Sequence, residues 1–147
     1  MQAMADAATK TITIAAPLEH CFDIVAEVER YPEWVHDIVA ADVIERYDDG
    51  RPRDVKFTVS ALGRNTRYTL RYDWSGAPTT LRWELVEGDI MRAIDGAYRF
   101  ASTPDGGTDV TYDLSIELVV PMPGFLKRRA EARILNTVHH LKSRAEG

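Results

Sequence analysis

The chain predicts an α+β fold: a curved, seven-stranded antiparallel sheet, two short helices after the first strand, and one long C-terminal helix laid against the apolar face of the sheet. Three observations predict it. Hydrophobicity alternates with period two in six successive segments between Val39 and Leu118, with turn residues between them. Phe125 to Glu146 contains no Pro or Gly and carries apolar residues at helical spacing. Two prolines, Pro17 and Pro32, stand where short helices start between the first strand and the rest.

The elements follow in order. Lys10 to Ile14 alternates and ends at Ala15-Ala16-Pro17, a first strand after a flexible N-terminal segment 1–9. Pro17 suits the first turn of a helix, with Glu19 near its positive end and Leu18, Cys21, Phe22 and Val25 on one face. Tyr31-Pro32-Glu33-Trp34 opens a second short helix reaching about Asp37. Val39, Ala41 and Val43 share a face, although Ile44 leaves that register ambiguous. Asp48-Asp49-Gly50 turns the chain, and Val55, Phe57, Val59 and Ala61 alternate up to a turn at Leu62-Gly63-Arg64.

Tyr68, Leu70, Tyr72 and Trp74 then alternate with Arg67, Thr69, Arg71 and Asp73, the cleanest half-buried strand in the chain. Beyond Ser75 to Pro78 come Leu81, Trp83 and Leu85, then Ile94, Gly96, Tyr98 and Phe100 with Arg92 on the same parity. Asp105-Gly106-Gly107 leads into Val110, Tyr112, Leu114, Ile116 and Leu118. Pro121 to Gly124 breaks the pattern. The helix that follows is about 33 Å long, with Leu126, Ala130, Ile134, Val138 and Leu141 as its apolar stripe.

Bulk properties narrow the function. The length of 147 residues suits a single domain over 10–147, with a real core. The net charge is −5 and no Lys/Arg block stands out, which argues against nucleic acid. No run of 18 apolar residues exists, so no membrane-integrated segment is expected. The N-terminus has neither the basic start nor the apolar stretch of a signal peptide. Cys21 is the only cysteine, which fits a reducing cytoplasm.

Eight aromatics fall on one sheet face by parity: Phe57, Tyr68, Tyr72, Trp74, Trp83, Tyr98, Phe100 and Tyr112. Four are tyrosines, whose hydroxyls need partners when buried. Two readings are open on pattern alone, a plain core and a pocket for an apolar molecule with a few polar groups.

The order of elements resembles the START-like (SRPBCC) superfamily of helix-grip proteins, and within it the polyketide cyclase/dehydrase and ubiquinone-binding branch. The residues that carry the resemblance are Ile12 to Pro17, Val28 to Trp34, Asp95 to Phe100, Gly107 to Tyr112, and Pro121 to Ala130. The resemblance implies an elongated cavity between sheet and terminal helix, and a hydrophobic ligand such as a lipid, quinone or polyketide-like compound. No cofactor is expected. Some relatives of this kind are cyclases that steer a poly-β-keto chain with interior Arg and Tyr. Here the arginine expected inward after Gly63 is missing, since Arg71 has outward parity, and Ile38 stands where a polar residue is expected.

The expected function is therefore binding or carriage of a hydrophobic small molecule, with a polyketide cyclase/dehydratase as the alternative. Besides the aromatic face, the candidate ligand contacts are Trp34 beside an opening, Arg92 at the cavity mouth, and Arg133 and Thr137 on the terminal helix. Trp34 has an alternative role in packing, and Arg133 an alternative one at the rim. Gly96 mid-strand is expected to mark a bulge that bends the sheet. The four histidines show no metal spacing, and Cys21 reads as a core thiol.

Overall fold

A computed structural model describes residues 6–61, 64–119 and 124–147. Seven strands form one antiparallel sheet: β1 (Asp6–Ile14), β2 (Ile38–Arg46), β3 (Pro52–Ala61), β4 (Arg64–Asp73), β5 (Thr80–Gly88), β6 (Met91–Ser102) and β7 (Thr108–Leu118). Their order across the sheet is β1-β7-β6-β5-β4-β3-β2. Successive strands from β2 to β7 are thus neighbours joined by hairpins, and β1 returns beside β7. Helix α1 (Leu18–Ala26) and a 3-10 turn (Val28–Glu33) connect β1 to β2, and α2 (Gly124–Glu146) ends the chain. The fold is the α+β helix-grip arrangement that the alternation predicts, with α2 packed against β1, α1 and β7.

Alternation survives as burial. Val55, Phe57, Leu70, Tyr72, Leu81, Trp83, Tyr98, Phe100, Val110, Tyr112 and Leu114 are all buried on one face. Phe22 and Val25 of α1 and Val138 and Leu141 of α2 join the same core. The rest of the predicted stripe, Leu126, Ala130 and Ile134, lies outside the described side chains, as do the predicted turn at Leu62-Gly63 and the break at Pro121 to Pro123.

Several expectations are corrected. β1 begins at Asp6, so residues 6–9 belong to the sheet, paired with Asp113 to Ile116 of β7. The second helix is a 3-10 turn that starts at Val28 and ends at Glu33, because Pro32 withholds an amide that a longer α-helix would need. On β2 a bulge between Ile38 and Ala40 turns Val39 out to 55% exposure, while Ala41 and Val43 stay against the core. Gly96 marks no bulge: it keeps regular register with Trp83 on β5 and Leu114 on β7. Its missing side chain makes room for the Trp83 indole instead.

Candidate functional site

The register brings the aromatics together. Tyr72, Trp83, Gly96 and Leu114 form one row across β4, β5, β6 and β7. Tyr98 pairs with Tyr112 in the adjacent row, and Phe57 with Tyr68 nearer the β3–β4 turn. Ring centroids lie 4.9 Å apart for Tyr98 and Tyr112, 5.3 Å for Trp83 and Tyr98, and 6.0 Å for both Tyr72 and Tyr112 against Trp83. Tyr31 enters from the 3-10 turn, with its ring stacked on Phe57 at 6.1 Å and edge-on to Trp34 at 5.3 Å. From the sequence Tyr31 has two roles open to it, gating an opening or packing the short helix onto the sheet, and its burial against Phe57 is the packing one. Its burial was signalled by Val28, three residues earlier on the same face.

The phenols converge. Burial pushes the hydroxyls of Tyr31, Tyr68, Tyr72, Tyr98 and Tyr112 above the ordinary tyrosine range. Tyr72 also feels Tyr68, Tyr98 and Tyr112, and Tyr98 feels Tyr112 and Tyr31. The Tyr31 hydroxyl donates to the Val25 carbonyl. The Thr137 hydroxyl of α2 acts on Tyr112 and partly offsets its burial. Tyr68 and Tyr98 have no hydrogen-bond partner for their hydroxyls among the described residues. The same holds for Thr66 Oγ1, buried on the inner-facing parity of β4 opposite Val59.

One end of this face is closed. Phe22 of α1 packs edge-on against Trp74 at 6.3 Å and Phe100 at 5.9 Å. The Trp74 indole donates to the Pro52 carbonyl at 2.7 Å, and the Arg51 guanidinium lies 5.3 Å from its ring. Trp74 and Phe100 therefore form an end wall, with the Trp74 polar atom already satisfied. The β3–β4 and β5–β6 turns lie at the opposite end, with Tyr68 opposite Gly88.

Two predicted contacts stand outside. Arg92 points away from the core, 57% exposed at its side chain, and reaches Glu117 at 3.3 Å. A bulge between Met91 and Ala93 makes it the extra residue, so its parity with Ile94 fails. Arg133 is exposed on α2 and grips Asp37 with two hydrogen bonds, at 2.6 and 3.3 Å. Trp34 is buried beside Tyr31, in its packing role. Arg71 is outward as expected, bonded to Asp54.

Among the described residues of β3 to β7, the inner-facing positions hold apolar, Tyr, Thr and Gly residues and no charge. The nearest charged residue by register is Lys10, half-buried on edge strand β1 opposite Tyr112. A groove of about 610 Å³ lies on the other face of the sheet, lined by Arg71, Asp73, Arg82, Glu84, Arg99 and Asp113. Charges of both signs pair across it, as Arg99 with Asp113 at 2.6 Å, which is the pattern of a solvated sheet face. No group of three or more metal-ligating side chains occurs among the described residues. None of their helices is long and apolar enough to cross a membrane.

A family described as polyketide cyclase/dehydrase and lipid transport has a model that matches residues 14–140. A search of the curated proteins returns no match. Among solved structures, a START superfamily protein from Mycobacterium smegmatis is 25% identical with a TM-score of 0.80, over 95% of this chain and 92% of that one. The Zhui aromatase/cyclase from Streptomyces sp. R1128 is 16% identical with a TM-score of 0.81, over 97% and 94%. Ginseng major latex-like protein 151 from Panax ginseng is 12% identical with a TM-score of 0.75, over 99% and 100%. The last two likenesses concern the fold alone.

Proposed function

Because the chain belongs to the polyketide cyclase/dehydrase and lipid transport family, we propose that it binds a hydrophobic small molecule between the inner face of the sheet and α2. The observation that carries this reading is the set of unspent hydroxyls within an otherwise apolar wall. Thr66 Oγ1 is buried with no partner among the described residues, in a setting where such groups are normally bonded, and no hydrogen bond from a described residue engages the Tyr68 or Tyr98 hydroxyl. A lipid, quinone or polyketide-like ligand would cover the aromatic surface and satisfy those hydroxyls with its few oxygens. Apolar burial would supply most of the affinity, at about 25 cal/mol per Å² before the entropy cost of association.

The raised phenol pKa values favour binding over proton abstraction. Neutral phenols donate hydrogen bonds but are poor bases near neutral pH. The convergence of Tyr31, Tyr72, Tyr98 and Tyr112 supports a second reading, a cyclase/dehydratase in which these phenols hold the keto oxygens of a folded poly-β-keto chain. Native mass spectrometry of protein purified from its own host tests the first reading, with a co-purifying apolar ligand as the expected result. Turnover of a poly-β-keto substrate that is lost in Tyr98→Phe would favour the second. Absence of any bound molecule, together with failure to bind lipid, quinone and aromatic polyketide probes, would overturn the binding reading.

A further inference from the structure

α2 is anchored on one flank and clasped on the other. Towards β1, Lys142 Nζ donates to the Thr13 carbonyl at 3.0 Å, and the Ala15 amide donates to Glu146 at 2.7 Å. From α1, His20 Nε2 reaches the Ala145 carbonyl at 3.2 Å. Towards residues 33–37, no backbone hydrogen bond joins the helix among the described residues. Side chains bridge the gap instead. Arg133 holds Asp37, the His140 ring lies 4.1 Å from the His36 ring with 31° between their planes, and Arg144 donates to Glu33 at 2.7 Å. Residues 133, 140 and 144 recur at helical spacing, so these bridges share one face of α2. The segment they hold carries Trp34 and Val35, both buried against the core.

We propose that the His36–His140 stack, with the Asp37–Arg133 pair beside it, is a proton-operated clasp that shuts the side of the binding site and opens when both imidazoles are charged. Two neutral rings, or one neutral and one charged, stack at this distance without repulsion. Two imidazolium ions at the same distance repel. The buried Nδ1 of His140 has no hydrogen-bond partner among the described residues, so a proton placed there has no acceptor until the ring moves.

The surrounding charges point the same way. Burial holds the His140 imidazole below its ordinary value, His36 and His139 add to that, and Asp37 alone opposes it. Asp37 is itself occupied by Arg133, and the neighbouring Glu33 by Arg144 and Arg30. Charging the stack therefore pushes α2 away from the segment that carries Trp34, while the β1 flank stays anchored. The clasp does not depend on which molecule is bound. That it governs access rests on the binding reading above.

Amide hydrogen exchange tests the clasp without any ligand. After correction for intrinsic rates, protection of residues 33–37 and 133–144 should fall about tenfold between about pH 7.5 and about pH 5.5 in the natural protein. His140→Gln removes the buried imidazole and should abolish that step, whereas His36→Gln removes only the repulsion from the neighbouring ring and should weaken it. His36 is exposed, so His36→Gln keeps the fold. Release of 1-anilinonaphthalene-8-sulfonate from the loaded protein should accelerate over the same range, lose its pH dependence in His140→Gln and keep only part of it in His36→Gln. Uniform protection across that range, a step that persists in His140→Gln, or a step undiminished in His36→Gln would overturn the clasp. Failure of the dye to bind would count against the binding site and leave the exchange result to decide the clasp.

Discussion

The Trp83 indole lies across Gly96, so close that a β-carbon on residue 96 would stand 2.2 Å from Trp83 Cε2. The two residues are direct partners on β5 and β6, and the ring in turn meets Tyr72, Tyr98 and Tyr112. Gly96 thereby sets the depth of the aromatic wall.

Gly96→Ala should destabilise the protein by about 3 kcal/mol, at the upper end of overpacking costs, because a rigid indole stands in the way of the methyl group. Urea denaturation measures the loss. Tryptophan emission should shift to the red as Trp83 is displaced from its apolar seat.

Two Tyr→Phe changes should diverge. Tyr31→Phe removes the donor to the Val25 carbonyl and should cost about 1 kcal/mol. Tyr98→Phe removes a hydroxyl without a partner among the described residues, and should leave stability unchanged or slightly raised. Denaturation of the two variants side by side checks this. In the presence of a bound ligand the Tyr98 variant should show the larger loss of affinity.

Five of the six tyrosines have phenols raised by burial. The unfolded chain releases those protons near pH 10, before the folded one does. Stability is therefore complete below about pH 10 and falls as pH rises beyond it. Phenolate absorbance should show those five groups titrating late, together with cooperative alkaline unfolding.

Asp54 gives the opposite slope. Arg71 donates to both its oxygens, at 2.8 and 3.0 Å, and holds the carboxyl below the ordinary 3.8 against the effect of burial, with help from Arg53. The unfolded chain takes up the proton first as pH falls, so this contribution is present above 3.8 and is lost as pH drops through the folded value. Asp54→Asn should cost about 2 kcal/mol near neutral pH. The cost should shrink below pH 3, as compared by urea denaturation at the two acidities.

The sheet was legible because each strand from β3 to β7 buries one face, and that forces period-two spelling on residues such as Tyr68, Leu70 and Tyr72. Errors fell where a bulge resets parity. Arg92 and Val39 each sit at a register shift that composition does not announce. The aromatic wall was readable from Phe57 to Tyr112. Its depth was not, since that depends on Gly96 lying beneath a ring from another strand. The meeting of His36 and His140 was also hidden. It needs α2 laid beside the 33–37 segment, a contact between residues more than a hundred positions apart that no local pattern encodes.

The pairing of β1 with β7 sets a timetable. Thr9 and Asp113, joined across these strands, are 104 positions apart, so the first strand to leave the ribosome must wait for the last. At about 5–20 residues per second, that wait is about 5–20 s. Throughout it the growing sheet lacks Tyr112, Leu114 and the covering helix, and its row of aromatic rings stays open to water. The wall is covered only once α2 has followed β7 out of the ribosome, so a hydrophobic molecule already present in the cell can meet the wall before that helix is made.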